Sequence, residues 1–569
     1  MRPCRIAIAL DGDEVRQVGK PDVWMAVDCT TLQIDALERD AFEVLRLIRA
    51  LKNRLTPIIR IPPEVLTLIP DSWDTQCKAK GAITLTHVCR AWREVFISHA
   101  SLWTNFYCVD MDKTRVYLER SKSSPINLWI GRENDMSPHG PQVIPHATSR
   151  LKSLTVHAIS GRIGYITTHL FQPAPNIEHL SINCGFPLGP ASKHTLKTSL
   201  FNGNLSSLHN LRLMYIRTEL PWRNMVNLTS ITLGHILLED APIRQLLDFL
   251  DSAPRLESVK LESATPTTGA QGGQLVSLEC LKLMSIRGDG PCSFLLDHLL
   301  IPVGVKLSIL TNSFARGFED LLPRSLNNLR NLSDFTDVNL DFNRARPKVQ
   351  FTGPNGQVTL SCAFRQADHT SLVFDCLAQI DTSKTEKLEI HRGNPSSRYP
   401  PYQALLQMKN LRILKLSRCQ SPHHFIRALS PGTNPSEAVV CPKLEDLVLV
   451  LRTNSETFNI KNLINVAIAR TLGGAFLRAV RIIGGQGKLD LDRMLELRNH
   501  VSHVEYVPTR AGAIDDHSDD IVDDNDEVSV DSDEVSDDSD EDSDDGDSSL
   551  EDSGEDGSDS DDSDSDGGW

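Results

Sequence analysis

From residue 151 onward one short phrase keeps returning: an apolar residue, two variable positions, an apolar residue, one variable position and a third apolar residue. It occurs as Leu151/Leu154/Val156, Ile177/Leu180/Ile182, Leu208/Leu211/Leu213, Leu228/Ile231/Leu233, Leu256/Val259/Leu261 and Leu278/Leu281/Leu283. It resumes as Leu411/Leu414/Leu416, Leu444/Leu447/Leu449 and Leu477/Val480/Ile482. The last two apolar positions alternate with variable ones, which is the period of a short strand with one face inward. Three copies share a longer form opened by proline, at Pro175–Ile182, Pro254–Leu261 and Pro442–Leu449. That proline stops a preceding helix from running on. Between copies lie helix-like stretches such as Ile243–Leu250 and Tyr402–Met408. One strand and one helix cannot hide their apolar sides alone, whereas stacked units make a continuous core. The pattern therefore predicts an α/β chain with a parallel sheet built from successive copies.

Recurrence at intervals of about 20 to 33 residues suggests a leucine-rich-repeat-like solenoid over residues 149–508, with a curved parallel sheet. The repeat is divergent, because the intervals are irregular and the usual asparagine position is inconsistent. Residues 301–400 fit it least. Val305–Leu310 and Leu388–Ile390 read as further strands, but Pro347–Ala363 reads as a β-hairpin turning at Pro354-Asn355-Gly356. That stretch is either an inserted hairpin or a local distortion of the repeat. The variable strand positions point outward and are rich in bases: Lys152, Thr155, Arg212, Lys260, Lys282, Arg412, Lys415, Arg478 and Arg481. Of these, Arg212, Lys260, Lys282, Arg412 and Lys415 are the candidate target-binding residues. The plainer reading of the same row is a solvated strand face.

Ahead of the repeats, residues 57–128 carry a different pattern. Pro62 and Pro63 fix φ where a short helix begins, and Glu64 suits its positive dipole end. Val65, Leu66, Leu68 and Ile69 are its apolar positions, and Pro70 stops it. After an insert, Asp71–Gly81, the residues Leu85, Val88, Cys89, Trp92, Val95 and Phe96 fall on one continuous helical face. A unit of about 45 residues is marginal by itself, so part of this apolar surface is expected to meet another element or another chain.

The stretches Ile61–Leu66, Val88–Arg93 and Leu102–Trp103, in that order, resemble the F-box, and Tyr117–Leu128 resembles the segment after it in mushroom-type fungal F-box proteins. The resemblance covers roughly a fifth of the chain. It implies a docking module for the Skp-type adaptor of an SCF-type cullin-RING ubiquitin ligase. The adaptor-binding residues it implies are Ile61, Pro62, Val65, Leu66, Val88, Trp92 and Phe96. The alternative is a helical hairpin packed wholly inside its own fold.

Residues 1–29 show no persistent period. A helix is expected within 30–56, with Leu37, Val44, Leu45, Ile48 and Leu51 on one face, packed beside the docking helices. A partner-binding coiled coil is the less favoured reading, since only about three heptads are present.

The net charge of −16 misleads about the body of the protein. Of the 75 acidic residues, 28 lie between Asp515 and Asp566, and no Lys or Arg follows Arg510; the first 510 residues hold 59 bases against 47 acids. A moderately basic body thus precedes an Asp/Glu/Ser/Gly tail, 512–569, that cannot repay its ordering entropy and is expected to be disordered. Ser536, Ser539 and Ser543 stand before acids, as acidophilic-kinase sites do. The 12 cysteines are scattered without a C-x-x-C pair, as expected of reduced thiols. No run of about 18 apolar residues occurs, and the N-terminal apolar patch Ile6–Leu10 is too short for a signal peptide, so an intracellular, cytoplasmic or nuclear protein is expected.

Catalytic and metal motifs are lacking. Gly484–Gly487 has no P-loop lysine, and His423-His424 belongs to no ligand pattern and suits a helix start. No cofactor is expected. Aromatic residues are too sparse among the outward bases for a single-strand nucleic-acid groove. The sequence thus points to a non-catalytic substrate receptor of a ubiquitin ligase, with the solenoid holding a protein target. The rival reading is a ligase-independent scaffold whose acidic tail binds basic proteins such as histones.

Overall fold

The computed structural model describes residues 21–508 apart from 58–60, 74, 109–110, 132–139, 158–159, 186–194, 197–199, 219–224, 239–241, 264–274, 289–291, 316–319, 343–345, 365–368, 395–400, 431–438, 452–457 and 485–490. The acidic tail, residues 1–20 and the glycine run after Gly484 lie outside the described residues.

Four helices open the chain: α1 (Pro21–Leu55), α2 (Pro63–Asp71), α3 (Thr75–His87) and α4 (Arg90–Ser98). Proline at the first helical position and Glu64 in the first turn start α2, and Pro70 lies in its last turn. The insert 71–81 is largely helical, forming the first half of α3. One expectation is corrected here. The expected single helix through Leu85 and Phe96 is broken at Val88-Cys89, where Cys89 is extended (φ −161°, ψ 174°). The break lets α3 fold back on α4, so that Ala82 and Leu85 meet Trp92 and Phe96 in one buried cluster. A straight helix would have left that row uncovered. On α3, Gly81 makes room for the Trp73 ring, since a Cβ there would lie 2.2 Å from it. The expectation that α1 packs beside these helices is also corrected. Its large apolar residues from Leu32 to Leu55 are all exposed, because the buried surface of α2–α4 is already used on one another and on the sheet.

A short connection fastens this module to the sheet. Trp103 is fully buried, its indole Nε1 donates to Phe96 O at 2.8 Å, Tyr117 meets it edge-on at 5.1 Å, and Arg120 lies 4.4 Å over its face.

Among the described residues seventeen strands form one sheet: β1 (Asn105–Tyr107), β2 (Ile126–Ile130), β3 (Leu151–His157), β4 (His179–Asn183), β5 (Asn210–Met214), β6 (Ser230–Gly234), β7 (Ser258–Glu262), β8 (Leu283–Gly288), β9 (Lys306–Ala315), β10 (Asp337–Asp341), β11 (Lys348–Gly353), β12 (Gly356–Phe364), β13 (Lys387–His391), β14 (Ile413–Ser417), β15 (Asp446–Val450), β16 (Ala479–Ile483) and β17 (His503–Val507). Sequential neighbours pair in parallel from β1 to β9 and from β13 to β17. Between these runs the order reverses: β9 pairs with β12 in parallel, β12 with β11 and β11 with β10 antiparallel, and β10 with β13 in parallel. The hairpin read from Pro347–Ala363 is therefore inserted into the sheet itself.

Register follows the apolar pairs. Leu154/Val156, Leu180/Ile182, Leu211/Leu213, Ile231/Leu233 and Val259/Leu261 align across β3–β7 and are buried, while their outward neighbours stay accessible. One copy is read a step off. In β8 the buried pair is Met284/Ile286, with Leu281 as the leading apolar residue, and Leu283 is half-buried on the open face. The triplet Leu278/Leu281/Leu283 satisfies the same spacing, but strand pairing selects the register in which Met284 meets Val259. The expected helices at Ile243–Leu250 and Tyr402–Met408 are present as Pro242–Asp251 and Tyr402–Gln407.

Five strands end alike. The residue after β5, β6, β7, β13 and β14 is Tyr215, His235, Ser263, Arg392 and Arg418, each at φ between +47° and +59°. In each case its N–H still donates to the next strand, as Arg418 N does to Val450 O at 2.7 Å. This left-handed turn breaks the strand without breaking the ladder, at a cost of about 1 kcal/mol for a side-chain-bearing residue. The hairpin turn is stricter. Gly356 sits at φ +132°, where a Cβ would meet Val305 O at 2.6 Å. Gly356→Ala is expected to lower stability by about 2–4 kcal/mol. Arg418→Gly is expected to be neutral or to raise stability by up to about 1 kcal/mol. Chemical denaturation of the full chain followed by circular dichroism measures both.

Candidate binding surfaces

Two surfaces stand out, one on the helical module and one on the open face of the sheet. On the module, the residues named from sequence divide into two groups. Leu66, Trp92 and Phe96 are buried in the chain's own core, with the Trp92 and Phe96 rings edge-on at 5.5 Å. This corrects their expected role as contact residues. Ile61 is half-buried against the same core. Pro62, Val65 and Val88 face outward, and they are joined by Leu68 and Ile83, which helical periodicity does not place at the surface. Val65, Leu68, Ile83 and Val88 are 48, 63, 40 and 51% exposed, a high value for aliphatic side chains so near a packed core. Trp92 Nε1 is buried without an acceptor among the described residues, an arrangement that costs about 1–3 kcal/mol.

On the sheet, the bases named from sequence do not form one patch. Arg212, Lys260 and Lys415 occupy the central outward position of β5, β7 and β14, whereas Lys282 and Arg412 stand just before β8 and β14. Five strands separate β8 from β14, so the two groups lie about 29 Å apart along the sheet. Several bases are already paired. Lys282 Nζ is 2.8 Å from Glu257, Lys152 Nζ 3.3 Å from Glu178, Arg478 2.8 Å from Asp446 and Arg481 2.6 Å from Glu505. Arg212 and Lys260 form no ion pair among the described residues.

Between the two groups, the inserted hairpin builds a cleft that sequence reading missed. Register puts Gln350, Asn339, Glu389 and Lys415 in one outward row, and Lys348, Asp341 and His391 in the next. Asn339, Asp341, Lys348, Gln350 and His391 line a cavity of about 190 Å³. Within it, Asn339 Oδ1 and Asp341 Oδ1 are buried acceptors with no hydrogen-bond donor among the described residues. Such a lining suits a small polar group that brings donors. The signal available in the sequence was the alternation Asp337-Val-Asn-Leu-Asp341 opposite Lys348-Val-Gln350, legible only once the strands are known to be neighbours.

At the rim, Glu389 is held by two ammonium groups: Lys387 Nζ at 2.7 Å and Lys415 Nζ at 3.3 Å, with His391 Nε2 at 3.4 Å. Burial alone would raise the Glu389 carboxyl, but the hydrogen bonds and charges of Lys387 and Lys415 outweigh it and hold it at about 2. Lys415, named from sequence as a target contact, is therefore committed in part to Glu389.

Among the described cysteines, Cys108, Cys184, Cys292, Cys362, Cys376, Cys419 and Cys441 are buried and free of disulfides. Burial pushes the Cys184, Cys292, Cys362, Cys419 and Cys441 thiols up to about 12, so they pack as small apolar groups. His423 and His424 stand in the first turn of a short helix, Pro422–Ala428. Among the described residues no cluster of three or more His, Cys, Asp or Glu could hold a metal ion, and no helix is long and apolar enough to cross a membrane. No family model matches the chain, and no curated protein matches it.

A carboxyl whose folded-state value lies below its usual 4.5 stabilises the fold while it is ionised, and that contribution is lost as pH falls from about 5 towards 2. Glu389→Gln is therefore expected to lower stability by about 1–2 kcal/mol above pH 5, and the difference from the natural chain is expected to vanish near pH 2. Thermal melts across that pH range measure it.

Proposed function

We propose that the chain is a substrate-recognition subunit of an SCF-type cullin-RING ubiquitin ligase. In this reading α2–α4 are the F-box that docks on the Skp-type adaptor, and the stacked strand units are a divergent leucine-rich-repeat solenoid that holds a protein target. The observation that carries the docking half is the outward set Val65, Leu68, Ile83 and Val88 on a module whose sequence resembles the F-box. Aliphatic side chains left open beside a complete core favour a partner that covers them. The open face of the sheet supports the receiving half, since it offers a broad polar surface that includes a cleft. The protein performs no chemistry in this reading. It raises the effective concentration of target lysines near the conjugating enzyme that the ligase recruits.

Val65→Asp combined with Val88→Asp places two charges on the docking surface without entering the core. Adaptor binding by the purified full chain, measured by calorimetry, is expected to weaken at least tenfold, with the melting temperature kept within a few degrees. Undiminished binding by that variant, or no binding by the natural chain, would sink the proposal.

A further inference from the structure

The longest helix among the described residues carries an uncovered seam. Helix α1 is 35 residues, about 52 Å, and Ile34, Leu37, Val44, Ile48, Leu51 and Leu55 are each 54–73% exposed on it. With Ala41 they follow one another at steps of 3, 4, 3, 4, 3 and 4, the spacing of alternating a and d positions in a heptad. The helix interior holds no glycine or proline between Asp22 and Leu55 that would kink the seam. None of these side chains belongs to the buried core or to the partly buried residues packed against it, so the seam is open to another helix of the same geometry.

The residues flanking the seam say which helix that is. Reading Ile34 as a, the e positions are Glu38, Leu45 and Lys52, and the g positions include Asp40 and Leu47. If two copies lay parallel, g would face e of the next heptad on the other helix, setting Asp40 against Leu45 and Leu47 against Lys52 on both sides. If they lie antiparallel about a two-fold axis at residue 46, a faces d: Ile48 meets Val44, Leu55 meets Leu37 and Leu51 meets Ala41. In that arrangement e faces e and g faces g. Glu38 then pairs with Lys52 of the second copy, twice by symmetry, while Leu45 meets Leu45 and Leu47 meets Leu47 at the axis. Charge meets opposite charge and apolar meets apolar at each of these positions. The contact is also isologous, so it closes at two copies.

We propose that α1 is a self-association helix and that two copies of the chain pair through it as an antiparallel two-stranded coiled coil. A pair of chains would then offer two docking modules and two sheet faces to one partner assembly. This rests on the seam alone and stands whether or not the adaptor binds.

Sedimentation equilibrium of the purified full chain is expected to give twice the 63.2 kDa chain mass, and Leu51→Asp is expected to return it to the single mass with an unchanged far-UV melt of the sheet. Glu38→Lys and Lys52→Glu are each expected to weaken association several-fold, and the two together in one chain to restore it. For orientation, chains carrying Leu37→Cys mixed with chains carrying Leu55→Cys are expected to cross-link to each other on mild oxidation, beyond the level of the natural chain, whereas Leu37→Cys alone is not expected to cross-link to itself. A single-mass protein at all concentrations, a double-mass protein indifferent to Leu51→Asp, failure of the double charge exchange to restore association, or efficient Leu37→Cys self-linking would each overturn the proposal.

Discussion

The structure depends on one packing constraint: most strands contribute two inward apolar side chains that only the neighbouring strands and the core beneath can cover. Leu154/Val156 through Ile482 are buried because the ladder holds each pair level with the next. Sliding a strand by one residue would send its polar positions inward, so the register is set by burial at every step. The β8 strand illustrates this, since Leu283 is as apolar as Met284 yet is turned to the open face by the pairing of Met284 with Val259. Helix α3 packs against the first strand.

The same constraint shapes the places where the chain must leave the sheet. A row of side-chain-bearing residues takes the left-handed conformation directly after the strands, and two of them, Tyr215 and His235, stack their rings at 4.6 Å. The stacking follows from the ladder, which sets equivalent positions of successive units about one strand spacing apart. Burial can also hold a charge in place: Arg470 is fully buried and donates to Val440 O at 2.7 Å and Cys441 O at 2.9 Å, tying its helix to the segment before β15. In the middle of the sheet, the hairpin β11–β12 introduces antiparallel pairs between two parallel runs, and it is this reversal that gathers Asn339, Asp341, Lys348, Gln350 and His391 around one cavity.

The helical module and α1 differ in how completely their apolar residues are spent. In the module, folding α3 on α4 buries Leu85, Trp92 and Phe96 and leaves an outward remainder around Val65 and Val88. In α1 the described apolar residues from Leu32 to Leu55 all stay exposed. The two together give the N-terminal part of the chain a concentration of exposed aliphatic side chains.

Much of the sheet was legible in the residues because its signal is local: an alternating apolar pair announces an inward strand face wherever it occurs, and a Pro-Asn-Gly turn between alternating runs announces a hairpin. The helical character of α1, α2 and α4 was legible for the same reason. What local pattern could not decide was who covers whom. Trp92 and Val88 sit on one face of an ideal helix, and only the extended Cys89 between α3 and α4 sends the first into the core and the second outward. The cleft was hidden for a related reason. Its residues come from three strands that are neighbours solely because the hairpin inserts between β9 and β13, and a polar residue on an outward strand face looks the same in sequence whether solvent or a facing row of polar side chains lies beside it. By itself the sequence determined most of the strands and the amphipathic helices α1, α2 and α4, because each is written in the spacing of apolar residues along a few turns of chain. The tertiary structure decided which apolar residues remain uncovered and which polar ones converge, because both depend on contacts between segments far apart in the sequence.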